Sequence, residues 1–237
     1  MKKIAVFIAI IFSMVAVFAQ TKQLDEKSAF YIYIKGSNTV LSADDEVNYA
    51  RSFEEATYKK YKNDEFEWDE QFSIIKQNLK KQVEEADMDS TYIIGTTLEF
   101  GDYDFTNEGF PITISAGTFF PFNYFNNWYD YKRTSLLHKR MALKLDSFEK
   151  FNFFAMPKDE AKTFLQGRKN SYGNVNRKVA LQIYYKIAAF DSDEYNCFKD
   201  LALSNDYLPL VGIIEKIEVY DMANPKSIKK ISELVQK

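Results

Sequence analysis

The hydrophobic pattern of this 237-residue chain changes period at Asp89, and that change constrains the fold more than any other feature. Before Asp89 most apolar residues recur every three or four positions; after it they alternate. The first spacing gathers side chains on one face of a helix, the second on one face of a strand. A helical block followed by a strand-rich block is the order of an α+β fold.

Within the first block, Ser42 suits a helix cap, and Asp44, Asp45 and Glu46 fall in the first turn, where negative charge favours the positive end of the helix dipole. Val47, Ala50, Phe53, Thr57 and Tyr61 then line one side of a helix. Trp68, Phe72, Ile75, Leu79 and Val83 repeat the spacing over 65–86, with Asn63-Asp64 as the joint. This pair is compatible with a hairpin or with one long kinked helix. Upstream, Phe30, Ile32 and Ile34 alternate with Tyr31, Tyr33 and Lys35, which predicts a short strand closed by Gly36-Ser37-Asn38.

Beyond Asp89, strands are predicted at 91–100, 110–116, 142–146, 178–190 and 211–221. The fourth is the clearest. Val179, Leu181, Ile183, Tyr185 and Ile187 point one way, while Lys178, Gln182, Tyr184 and Lys186 point the other, which implies a sheet with one wet face. A short helix interrupts this region: Pro157 suits its first turn, Asp159 and Glu160 its dipole, and Gly167 its end. The expected fold is α+β, with an amino-terminal helical pair (about 42–88) packed on a mainly antiparallel sheet (about 90–221) that can curve.

Lys2 and Lys3 precede an apolar run interrupted only by Ser13, and Val17-Phe18-Ala19 has the small-residue spacing of a signal-peptidase site. Cleavage is expected after Ala19, since the run is shorter than the roughly 20 residues a spanning helix needs. Gln20 follows the cut, so the cysteine that a lipoprotein would acylate is missing there and no membrane anchor is expected on the cleaved chain. The expectation is an exported protein, periplasmic or secreted, with 20–237 as a single domain long enough for its own core. Losing Lys2 and Lys3 leaves 29 basic against 34 acidic residues, a formal charge of −5 that argues against a nucleic-acid partner. Lys226, Lys229, Lys230 and Lys237 concentrate positive charge near the carboxyl end and read as a solvated face. Cys197 is the only cysteine, so no internal disulfide supports the fold and stability must come from packing.

At Asn63-Asp64-Glu65-Phe66-Glu67-Trp68, and at Phe100-Gly101-Asp102-Tyr103-Asp104-Phe105 with Phe110-Pro111, the chain resembles a bacterial family of exported proteins known only as a domain of unknown function. The resemblance covers roughly 47–221. It implies a secreted or periplasmic single domain and transfers no activity and no site residue.

The inventory of reactive groups is narrow. His138 is the single histidine, which argues against zinc and copper sites built from several imidazoles, and it sits in no nucleophile-elbow context. Cys197 follows Asp191, Asp193 and Glu194, whose charge opposes the thiolate. Asp102 and Asp104 share one face if extended, as a carboxylate-dependent hydrolase could use them, but an Asp-x-Asp pair is too common to mark one and a turn or cap role is the preferred reading. Neither the acidic clusters nor the glycines match a calcium loop or a phosphate loop, and no cofactor is implied.

The most unusual stretch is 119–131, where Phe122, Tyr124, Trp128, Tyr129 and Tyr131 alternate with asparagines. Rings beside amides can stack on a glycan or anchor a protein partner, and these five residues are the candidate contact set. The alternative is a loop that closes one end of the core. The function expected from the sequence is noncatalytic ligand binding or protein interaction. A hydrolase and an accessory component of an envelope assembly stand as alternatives.

Overall fold

A computed structural model describes residues 22–122, 136–190, 207–223 and 228–236. Among these residues the chain runs β1 (Lys22–Gln23), α1 (Glu26–Gly36), α2 (Ala43–Phe53), α3 (Glu55–Tyr61), α4 (Glu65–Glu84), β2 (Tyr92–Glu99), β3 (Gly109–Pro111), β4 (Phe120–Phe122), β5 (Arg140–Leu145), β6 (Phe151–Ala155), α5 (Lys158–Gln166), β7 (Lys178–Ala189), β8 (Tyr207–Asp221) and β9 (Lys229–Gln236). The fold is α+β, with four of the five described helices ahead of the main sheet.

Alternation placed β2, β7 and β8 within a few residues of their observed bounds. The stretch predicted at 110–116 pairs as a strand only through Pro111, and β1, β4, β6 and β9 were not anticipated. The sheet is open and mixed, in the order β1-β2-β7-β8-β9-β6-β3. Its pairings are antiparallel except β1 with β2 and β5 with β8. Strand β8 is a seam. One edge carries β7, while the other takes β5 along 207–212 and then β9 along 218–221.

The stretch expected as a strand at 30–35 is helical instead. Ala29, Phe30, Tyr31, Ile32, Tyr33 and Ile34 are all buried, so α1 is apolar nearly all round and its alternation is a by-product of uniform hydrophobicity. Its start is set by Asp25, whose carboxylate accepts the Ser28 N–H at 2.7 Å. At its other end Gly36 lies under Phe190, where a Cβ would come within 2.0 Å of the ring.

The stripe predicted from Val47 to Tyr61 is divided at Glu54, whose non-helical backbone separates α2 from α3. Asp64 then caps α4 by accepting the Phe66 and Glu67 N–H groups at 3.1 and 3.0 Å. Tyr58 meets Trp68 edge-to-face at 5.4 Å, so α3 and α4 fold back on each other as a hairpin.

The core lies between this helical layer and the sheet, with Phe30 and Tyr49 on one side and Leu181, Ile183, Tyr185, Ile217 and Val219 on the other. Each fully buried side chain of this size contributes roughly 1.5–3 kcal/mol. A second aromatic cluster joins Phe100, Phe110, Phe154 and Phe164, with ring centres 4.9–5.9 Å apart. Arg168 closes it. Its side chain is 1% exposed, lies 4.4 Å from the Phe164 ring, donates to the Asn176 and Lys178 carbonyls, and pairs with Asp221 at 2.5 Å.

The expected wet face of β7 needs a correction, because Gln182 and Tyr184 are as buried as the core side. Tyrosine rings and lysine stems lie across the sheet centre there, around Glu218.

Candidate functional site

Two polar arrangements are assembled from distant parts of the chain. The first is a cleft of about 400 Å³ where α1, the end of α4 and the β1–β2 edge meet. Helix α1 contributes Ser28, Tyr31 and Ile32, spaced i, i+3, i+4 and therefore side by side on one face. Lys35, further along α1, donates to the Glu84 and Ala86 carbonyls at 2.9 and 2.7 Å. That bond satisfies carbonyls that the end of α4 leaves open and holds Gln82, Glu85 and Ala86 against the cleft.

Asp87 forms the corner. Its carboxylate accepts the Asp89 and Ser90 N–H groups and the Ser90 hydroxyl, and it pairs with Lys22 of β1. The Lys22 ammonium, followed by the Ser90 hydroxyl, holds Asp87 well below the usual carboxylate range. Tyr92 donates to the Asp87 carbonyl at 2.5 Å, and burial, helped by the charges of Asp87 and Asp25, pushes its hydroxyl up to about 12. Behind the cleft wall the Tyr31 and Tyr49 hydroxyls share a 2.6 Å bond, and burial raises both.

The second arrangement centres on Glu218 of β8. Tyr184 and Tyr220 donate to its Oε2 at 2.8 and 2.9 Å, and Lys216 and Lys230 donate to its Oε1 at 3.0 and 2.8 Å. Burial on its own would raise this carboxyl, but the bonds from Lys230, Lys216, Tyr184 and Tyr220 outweigh it and lower Glu218 to about 2. Four donors fill the carboxylate, so Glu218 acts as a cross-link between β7, β8 and β9. Lys230, read from sequence as part of a solvated face, is one of its partners.

The sequence candidates fall elsewhere. Phe122 is buried in β4 opposite Met141; Phe119 meets Tyr207 edge-to-face at 5.4 Å, and Phe120 packs at 6.1 Å from Phe148. These described rings of the aromatic stretch pack on the sheet and core. Tyr124, Trp128, Tyr129 and Tyr131 lie outside the described residues, as does Cys197. Asp104 accepts the Thr106 and Asn107 N–H groups in a tight turn, and Asp102 pairs with Arg177 at 2.6 Å. His138 is half-buried in the short 3₁₀ turn Leu136–His138. Among the described residues no cluster of His, Cys, Asp or Glu is placed to hold a metal ion, and no helix is long and apolar enough to cross a membrane.

The cleft escaped the sequence reading because its walls come from 22–32, 82–87 and 92, three stretches without a shared motif. One signal was available: Asp25 followed by Glu26 marks a helix start, and a helix from there places Ser28, Tyr31 and Ile32 together.

The fold and these two clusters define an α+β protein with a helix-walled polar cleft at one sheet edge. Residues 42–167 match the family described as a domain of unknown function (DUF4852), and the chain belongs to that family. The matched segment contains both motifs of the resemblance and ends short of β7, β8 and β9. It supplies Gln82, Glu85, Ala86, Asp87 and Tyr92 to the cleft, while Lys22, Gln23, Ser28, Tyr31 and Ile32 come from outside it. No curated protein and no solved structure matches the chain.

Proposed function

We propose that this chain is an exported, noncatalytic binding protein that holds a small ligand in the cleft between α1, α4 and the β1–β2 edge. The observation that carries the reading is the cleft itself. Its volume, about 400 Å³, is in the range of small-molecule sites, roughly 300–1,000 Å³, and it combines two tyrosines with a few convergent polar groups. Three of its titratable groups are driven away from neutrality, Asp87 downward and Tyr31 and Tyr92 upward. A general acid or base works best with a pKa near the operating pH, so this pattern favours binding over turnover. Asp102 and Asp104, the carboxylates a hydrolase would draw on, are engaged in an ion pair and a turn. The export part of the proposal rests on the leader sequence and on its small-residue cleavage site.

The test is native mass spectrometry of the protein after incubation with the small-molecule fraction of its host's medium. A bound mass is expected on the wild type and absent from Gln82→Trp, a substitution that fills the cleft from an exposed position while leaving the thermal midpoint in place. Equal occupancy of both proteins, or none on either, would sink the reading.

A further inference from the structure

The sheet starts close behind the expected cleavage site. Only Gln20 and Thr21 separate Ala19 from Lys22, which already pairs in parallel with Tyr92, as Gln23 does with Ile93. Leu24 comes next, 6% exposed within the main core, and Asp25 then caps α1. From Ala19 to the first paired residue the chain spans at most roughly 10 Å, three residues at full extension. A chain of this length folds to a radius of gyration of about 17 Å. In a folded but uncut chain the scissile bond is therefore held within a short reach of the domain's own surface on one side and of the bilayer on the other.

Cleavage is hydrolysis of the Ala19–Gln20 peptide bond. Water adds its oxygen to the Ala19 carbonyl carbon, the C–N bond breaks, and the Gln20 nitrogen takes up the proton as the new terminal amine. A signal peptidase must seat the chain on both sides of that bond in its own groove, and in the folded chain this requires β1 to leave β2 and Leu24 to leave the core. The exposed Lys22–Asp87 pair offers little resistance. Leu24 offers more, since withdrawing one buried leucine leaves the released form at about one molecule in ten to one in a hundred. Building on the export reading above, we infer that removal of the leader precedes the docking of β1, and that Leu24 is the latch that shields the cleavage site once the domain has folded. The topology leaves time for the cut. Strand β1 docks on β2, and β2 gains its eight-residue partner only with β7, so the site stays accessible until 178–189 are in place.

The full-length chain, folded in detergent micelles, is incubated with a purified bacterial signal peptidase, and release of the leader is followed by mass spectrometry. Three forms are compared: the natural chain, a chain with a Gly/Ser insertion between Thr21 and Lys22 that adds roughly 33 Å of reach, and Leu24→Ala. Thermal melting confirms that each is folded at the assay temperature. The natural chain should be cut at least about tenfold more slowly than the insertion variant, and Leu24→Ala should come within about threefold of that variant. Equal rates for the natural and inserted chains would overturn the inference and leave export standing. A Leu24→Ala chain as slow as the natural one, beside a fast insertion variant, would overturn the role of Leu24. If neither the natural nor the inserted chain is cut after Ala19, the inference falls together with the export reading, whereas the bound-mass experiment on the cleft is untouched.

Discussion

Asp87 and Glu218 are both carboxylates with four donors, yet they do different work. Three of the donors to Asp87 come from Asp89 and Ser90, within one turn, and only Lys22 reaches it from afar. The donors to Glu218 come from β7, β8 and β9. The Glu218 side chain is 8% exposed, that of Asp87 36%. Equal saturation therefore does not mean equal contribution to stability. Where partners are local, the turn can form without the rest of the fold; where they come from three strands, losing the carboxylate loosens the sheet.

The sharpest way to break the comparison is Glu218→Ala. It leaves two tyrosine hydroxyls and two lysines without their common acceptor, and a loss of about 3 kcal/mol is expected by urea denaturation, at the lower end for a broken buried pair because both lysines reach solvent. Acid should reveal the same cluster. Because the folded-state value of Glu218 is lowered, from 4.5 to about 2, its stabilisation is present above about pH 4.5 and drains away as pH falls through 2. Glu218→Gln should flatten that part of the stability profile, and an unchanged slope would remove Glu218 from the account. Asp87→Asn keeps an acceptor and the local turn, so a loss of about 1 kcal/mol is expected in the same denaturation assay. Lys22→Met should be the mildest, within about 0.5 kcal/mol, since its exposed ion pair is screened by water. If Lys22→Met proved as costly as Glu218→Ala, the distinction between local and non-local donors would fail.

The sequence carried the fold class because its strongest signals are local. Ser42 announced one helix through its cap, the spacing of Trp68, Phe72, Ile75, Leu79 and Val83 announced another, and the alternation of Val179, Leu181 and Ile183 announced β7. It failed at α1, where Phe30-Tyr31-Ile32-Tyr33-Ile34 is apolar on every side and burial outweighs the strand preference of aromatic and branched residues. That error hid the cleft. On a strand Tyr31 and Ile32 face opposite ways; on a helix they share a wall with Ser28. The Glu218 cluster was illegible for another reason: Tyr184, Lys216 and Lys230 meet only through strand register, which no single stretch encodes.

The seam at β8 also sets an order of assembly. Strand β2, finished by Glu99, has only two-residue β1 as a described neighbour until β7 is made, and β5 and β7, paired with β4 and β2, gain their second neighbour only with β8. Pairings so far apart in sequence form slowly. A chain with this connectivity stays open until its last third emerges, which suits the proposed passage through a translocation channel before folding.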